Sequence, residues 1–262
     1  MGPQFLNRYK VHSPLLELSA TKVPWDTKAF GYPVASIDLI KLYHEDCVNK
    51  DFEGFIHWVA QEKIRLVSCR LPHDDIRSIM FLESQSFKFI EMVLHPIIHI
   101  NDSRLSDFKG FIVEPVGGHE LGIVSAMAEK AFGFERYHID PRVNSDAADI
   151  RYSSWVKNTS THKDQQLVKI SLQDDILGFF VIQKLSADKF YWHLTALNPE
   201  FVGRGFGVGV WSAMISYCRD LGARYAQTTI SGGNVPVLNL YSRLNARFGA
   251  PEVTLHWVKE NQ

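Results

Sequence analysis

"LNPEFVGRGFGVGVW", Leu197–Trp211, decides how this 262-residue chain is read. Four glycines, at 203, 205, 207 and 209, follow an apolar run and precede a helical pattern. A strand passing through a tight glycine turn into a helix builds an anion site. The first-turn N–H groups lack intrahelical partners, and the helix dipole places partial positive charge there. Glycines at 203, 205 and 207 let the backbone approach a phosphate with no Cβ in the way. Such a loop could serve a dinucleotide fold, a nucleoside triphosphate or coenzyme A. A triphosphate loop needs Gly-Lys-Ser/Thr at the helix start, but Val208 and Gly209 follow Gly207. A dinucleotide fingerprint fits "GRGFGVG" only with the wrong final spacing, and the acidic candidate, Asp220, lies on the helix rather than at a strand end. A turn needed only for close packing is the bland alternative.

Working outward, the turn sits in an α/β pattern. Before it come a strand "GFIVEPV", helices "HELGIVSAMAEKAF" and "AADIRYSSWVKNTS", and strands "QLVKISLQ", "ILGFFVIQKL" and "KFYWHLTALN". After it come a helix from Trp211 to Leu221, a strand "RYAQTTIS", a helix "VPVLNLYSRL" and a strand "EVTLHWV". The N-terminal part reads as a strand "VASIDL" entered through "VPWDTKAFGYP", a helix over Asp51–Glu62 and a strand "IRLVSCRL". A helix over Asp74–Ser84 and a strand-rich "FKFIEMVLHPIIHI" complete it. Strands alternating with helices predict a mixed α/β layer structure. The polar "NDSRLSDFKG" reads as a linker, so two domains are expected, 1–106 and 107–262.

The two parts echo each other. At an offset of 161 (252 − 91), Glu91 falls on Glu252, Phe87 on Phe248, Leu94 on Leu255 and His95 on His256. Where the second copy has Asn234 and Tyr241, the first has His73 and Met80, and no glycine loop precedes it. Chemistry is therefore expected in the second copy.

Lys+Arg number 28 against Asp+Glu 29, a net charge of −1, which gives no reason to expect a nucleic-acid or acidic-membrane surface. Three scattered cysteines without a C-x-x-C pair read as reduced thiols. With no signal-peptide pattern and no apolar run of membrane length, the expectation is a cytoplasmic protein without membrane insertion. "LHPIIH" (His95, His99) has no partner cluster with ligand spacing, so no metal is expected. No G-x-S-x-G elbow for a serine nucleophile occurs.

"LNPEFVGRGFGVGVW", then "SGGN", then "LNLYSRL", resembles the acyl-CoA-binding half of a GNAT-type acetyltransferase. The resemblance implies a GNAT fold, preceded by a truncated GNAT-like N-terminal domain, with acetyl-CoA as acyl donor. It lays the pyrophosphate loop on Val202, Gly203, Arg204, Gly205, Phe206 and Gly207, with Val208 next. Val202 stands where the family usually has Arg or Gln, and Arg204 could supply the positive charge. Thr195, Ala196 and Leu197 would form the splayed strand edge beside the pantetheine and thioester. Asn234 and Arg243 would contact the coenzyme. Tyr241 falls on the tyrosine that protonates the departing thiolate, and reference pKa values of roughly 10 and 8.5 bring acid and target close. A core tyrosine on an amphipathic helix is the alternative.

"VPWDTKAFGYPVASIDL", the "FGFERYHIDPRVNSDAADIRYSSWVKNT" region and "TLHWVK" are similar to aminosugar N-acetyltransferases of the TDP-fucosamine type. That implies a nucleotide-linked 4-amino-4,6-dideoxyhexose as the small-molecule acceptor, in cell-surface polysaccharide synthesis, and allows a homodimer. On the acceptor side "ERYHIDPR" offers Arg136 and Arg142 for phosphates and His138, or a water, as base. A solvated loop with a capping Asp140 is the alternative. His193 is a second base candidate, set against a satisfied core histidine, and Glu120 reads as a first-turn charge. Two rivals stay open: another acceptor amine, and a non-catalytic coenzyme A-binding module.

Overall fold

The computed structural model describes residues 8–43, 48–102 and 110–259. The first part contains β1 (Arg8–His12), β2 (Leu16–Lys22), α1 (Pro24–Phe30), β3 (Val34–Leu42), α2 (Val48–Gln61), β4 (Leu66–Pro72), α3 (Ile76–Ser84), β5 (Lys88–Leu94) and β6 (Pro96–His99). After residue 110 come β7 (Phe111–Pro115), α4 (Leu121–Ala131), α5 (Arg136–Ile139), α6 (Ser145–Asn158), β8 (Gln165–Leu172) and β9 (Asp175–Ser186). The rest is β10 (Lys189–Leu197), α7 (Gly207–Asp220), β11 (Tyr225–Thr228), β12 (Ile230–Ser231), α8 (Val235–Arg243), β13 (Arg247–Phe248) and β14 (Glu252–Val258). The sequence reading lacked β1, β2 and α1. The last is too short for a helical period and is marked by Pro24 at its start and a left-handed Gly31 at its end.

The strands form two seven-stranded mixed sheets, β1-β2-β3-β4-β14-β5-β12 and β13-β6-β11-β10-β9-β8-β7. The boundary expected near residue 106 lies outside the described residues. On either side of it strands are exchanged: β14 inserts between β4 and β5, and β6 pairs with β11 and β13. Each sheet is thus completed by the other part of the chain. The register of the exchange is self-symmetric. Glu252 faces Val93, Val253 faces Met92 and Thr254 faces Glu91. Subtracting or adding the sequence offset of 161 turns the first pair into the third (252 → 91, 93 → 254) and the middle pair into itself. Two copies meeting through equivalent strands would have this isologous pattern, and the echoed residues Met92 and Val253 do stand opposite each other.

Each sheet buries its faces under amphipathic helices. Phe52, Phe55 and Val59 of α2, at helical spacing, meet Leu16, Leu18, Ile37 and Leu255 on the first sheet, while Ile56 turns to solvent. Truncating such a buried Phe costs about 3–5 kcal/mol. On the second sheet α7 buries Val210, Trp211, Met214, Ile215 and Cys218 against Phe180 and Trp192. Helices α4 and α6 cover the opposite face through Val124, Ala128, Tyr152 and Val156. Cys69 and Cys218 are buried free thiols, and Cys47 lies outside the described residues. Among the described residues no helix is long and apolar enough to cross a membrane, and no cluster of His, Cys, Asp and Glu has metal-binding geometry.

Candidate active site

The quoted turn is built as its glycines require. Gly203 and Gly205 have φ of +80° and +85°, left-handed values that cost a residue bearing a Cβ about 1–2 kcal/mol. Phe206 supplies no side-chain cap to α7, which leaves the first-turn amides open to an anion.

The second element is a gap in the sheet. β10 and β11 pair in parallel only as far as Trp192 and Thr228. Beyond that point the chain turns away as β12, which pairs with β5 in the other sheet. Among the described residues, the edge of β10 from His193 to Leu197 faces no strand on that side. A bulge between Trp192 and Leu194 also reverses the faces of β10. Before it, Phe190 and Trp192 point toward α7; after it, Leu194 and Ala196 point toward α4 and α6. Thr195 is thereby turned to the α7 side, opposite Phe180. At Gly178 an added Cβ would meet the Ala196 carbonyl oxygen at 2.5 Å, so β9 has no side chain where β10 is closest.

A cavity of about 600 Å³ occupies this gap. Of the expected residues, Thr195, Ala196, Leu197, Val202, Gly203, Gly205, Gly207, Val208, Asn234, Arg243 and His193 line it. Asn234 also caps α8, accepting from Val237 N at 3.3 Å. Val202 is exposed (63%), matching its place on the open turn. Arg204 and Phe206 are not on the wall: the Arg204 guanidinium lies over the Phe201 ring at 5.5 Å, and Phe206 packs edge-on against the same ring. Their backbone amides remain part of the turn.

Tyr241 is fully buried behind the wall. Trp211 Nε1 donates to its Oη at 3.1 Å, and the phenol also meets the hydroxyls of Thr195 and Thr228, which do line the cavity. Burial pushes the phenol well above its ordinary value, only partly opposed by those hydrogen bonds.

The expected acceptor loop is organised differently from the sequence reading. His138 Nε2 donates to Asp149 at 2.8 Å, and its Nδ1 donates to Glu135. Burial works against the charge, but the two carboxylates outweigh it and raise the pKa. Such an imidazolium has no lone pair for an amine proton, and His138 is off the wall. Arg142 is held in a two-point contact by Asp140, at 2.9 Å to each oxygen, and reaches the His256 carbonyl. Arg136 lies on the Tyr137 ring and donates to its hydroxyl at 3.0 Å. Neither arginine is on the wall. His193 is. Its Nε2–H donates to Gln183 Oε1 at 2.7 Å, leaving Nδ1 as the bare nitrogen, and burial with help from His162 lowers its pKa.

Several wall residues went unforeseen, notably Glu135, Tyr152, Ser231 and Asn239. Behind Ser231 lies Glu91 of the first sheet, 6% exposed, accepting from Arg70 and Thr254 at 3.3 Å each. Burial raises its pKa, with Arg70 and Arg136 opposing. Glu135 is the reverse case: burial would raise it, but hydrogen bonds from His138, the Tyr137 amide and Tyr152 lower it. A helix N-cap three residues before a histidine was a usable local signal for Glu135; nothing local pointed to Glu91.

Residues 127–246 match the family model described as the acetyltransferase (GNAT) family. No curated protein matches the sequence. Among solved structures, a functionally unknown conserved protein from Staphylococcus epidermidis is similar at 11% identity, covering 98% of this chain and 96% of that one, with a TM-score of 0.67. A tandem GNAT protein from the clavulanic acid biosynthesis pathway covers 98% and 84% at 11% identity and TM-score 0.64. A GCN5-related N-acetyltransferase from Kribbella flavida covers 97% and 90% at 14% identity and TM-score 0.63. At these identities the structures establish a shared fold across both sheets.

Proposed function

We propose that this chain, whose residues 127–246 match the GNAT family model and whose fold is shared with a GCN5-related N-acetyltransferase, is itself a GNAT-type enzyme that moves acetyl from acetyl-CoA directly to a primary amine within a ternary complex. The observation that carries the reading is one trough containing the glycine turn, the unpaired β10 edge and a polar far end. The amides of the turn and of the first α7 turn suit the pyrophosphate, with Arg243 nearby on the wall. The open edge at Thr195–Leu197 suits the pantetheine arm, which can pair with it as a strand would. A backbone N–H there stabilises the oxyanion that forms at the thioester carbonyl.

The amine must lose a proton to attack. His193 Nδ1 is the group best placed to take it, being neutral and on the wall. The C–N bond forms as the carbonyl pair moves onto oxygen. The oxyanion then collapses, breaking the C–S bond, and the nitrogen's extra proton leaves with the sulfur as thiol, whose departing thiolate form draws a hydrogen bond from Thr195. Tyr241 acts behind Thr195 as its positioning partner rather than touching sulfur. The finer expectation of a nucleotide-sugar acceptor has weaker support, because Arg136 and Arg142 are engaged with Tyr137 and Asp140. The test is thiol release from acetyl-CoA with a panel of primary amines, with the acetylated amine identified by mass spectrometry. Acetyl-CoA-dependent product from at least one amine is expected; bound acetyl-CoA with no release on any amine sinks the proposal.

A further inference from the structure

Resting on the acetyl-transfer reading above, we infer that the acceptor is a compact primary amine that arrives as an ammonium on an apolar or aromatic body. The far end of the cavity is walled by Phe132, Phe134, Tyr152 and Glu135. Phe132 stacks on Tyr152 at 4.3 Å, and Phe134, half exposed, forms the rim. Aromatic faces beside a carboxylate are the combination that holds an organic ammonium.

The carboxylate cluster nearest the wall points the same way. Glu135 and Asp149 both clamp His138, so two carboxylates share one imidazolium and the group carries a net negative charge. Glu91, behind Ser231, is near enough for its charge and that of Glu135 to repel each other. Arg70 pairs with Glu91 and Arg151 with Asp26, while Arg136 stacks on Tyr137 and donates to its neutral phenol. Glu135 and Arg243 are the charged side chains on the wall. Arg243 belongs to the opposite end, one turn beyond Leu240, whose side chain lies 3.9 Å from where a Gly207 Cβ would stand. An ammonium at the far end gains Glu135 and the oxygen of the Ser231 hydroxyl on the wall.

The experiment compares thiol release for 2-phenylethylamine, a lysine peptide and TDP-4-amino-4,6-dideoxygalactose, in wild type, Glu135→Gln and Phe134→Ala. Gln keeps an oxygen for the Tyr137 amide, and acetyl-CoA affinity by calorimetry reports whether each variant is folded. The arylalkylamine is expected to turn over fastest. Its KM should rise about tenfold in Glu135→Gln, the scale of a charge-assisted hydrogen bond, with the KM for acetyl-CoA unchanged. Phe134→Ala should raise the same KM several-fold while leaving kcat in place. Fastest turnover on the nucleotide sugar or the peptide, or an arylalkylamine KM indifferent to both substitutions, overturns the inference while acetyl transfer stands. Absence of release with every amine removes the underlying reading instead.

Discussion

Replacing Tyr241 by Phe removes one oxygen from a fully buried position and leaves the ring in place. Two consequences can be separated. Trp211 Nε1, which donates to that oxygen at 3.1 Å, loses its acceptor in the interior. An unsatisfied buried donor costs about 1–3 kcal/mol, which in a protein of this size lowers Tm by roughly 2–12 °C. The second consequence is catalytic. Burial holds the phenol above its ordinary value near 10. Complete proton transfer to a thiolate of pKa about 8.5 is then uphill by at least about 2 kcal/mol. Tyr241 is better suited to orient the Thr195 hydroxyl toward the thiolate than to act as the acid outright. Losing a hydrogen bond to a charged atom costs about 1.5–3 kcal/mol, or roughly 10–150-fold in kcat. The assay is steady-state thiol release at saturating acetyl-CoA, beside urea melts, for Tyr241→Phe, Thr195→Val and the double variant. If both hydroxyls serve one hydrogen bond, the double variant is no slower than the slower single one. Losses that multiply, or an unchanged kcat in Tyr241→Phe, refute the linkage through Thr195.

Two pH dependences follow from the histidines. A base works in its neutral form, above its pKa, and burial lowers that of His193. The acid limb of kcat/KM should therefore fall at a pH below about 6.5, and His193→Gln should abolish it; a limb that survives the substitution removes His193 as base. His256 is fully buried with its pKa lowered by burial to about 4, despite the Asp140 hydrogen bond at 3.0 Å. As pH falls from about 6.5 to 4 the unfolded chain takes up this proton first, so stability declines across that window by up to about 3 kcal/mol. His138, raised by its carboxylates, slopes the other way, so the readout is wild type minus His256→Gln in denaturant melts. Identical slopes in the two proteins would rule His256 out as the cause.

The parts of the site legible in the sequence are those whose geometry is local. Left-handed turns at 203 and 205 call for Gly, an N-cap calls for a residue such as Asn234, and the buried stripe of α7 follows from the 3.6-residue period. The parts that stayed hidden depend on contacts far along the chain. Strict alternation from Phe190 to Ala196 reads as one uninterrupted strand, yet the bulge at His193 transfers the later residues to the opposite face. "RYAQTTIS" reads as one strand, yet Thr228 ends β11 and Ile230 begins a pairing with Leu94 in the other sheet. His138 presents the residue type of a base. What disqualifies it is Asp149, eleven positions away and a full helix later, together with Glu135.

The echo between the two parts gives a frame for the chemistry at one end of the trough. Under the offset of 161 the pair Glu252 and His95 corresponds to Glu91 and His256. The first pair is made: His95 Nε2 meets Glu252 Oε2 at 2.9 Å. The second is not. His256 instead uses Nδ1 to bind Asp140, and its Nε2, the atom that its counterpart uses, is buried with no partner among the described residues. Glu91, released from that contact, takes Arg70 and Thr254 and lies beside Ser231 on the cavity wall. The symmetry is broken where the segment after α4 inserts Arg136 and Asp140 between the copies. A segment supplied by one half thus redirects a carboxylate of the other toward the acceptor end. The first sheet, without a glycine turn of its own, sets a buried carboxylate behind the cavity wall.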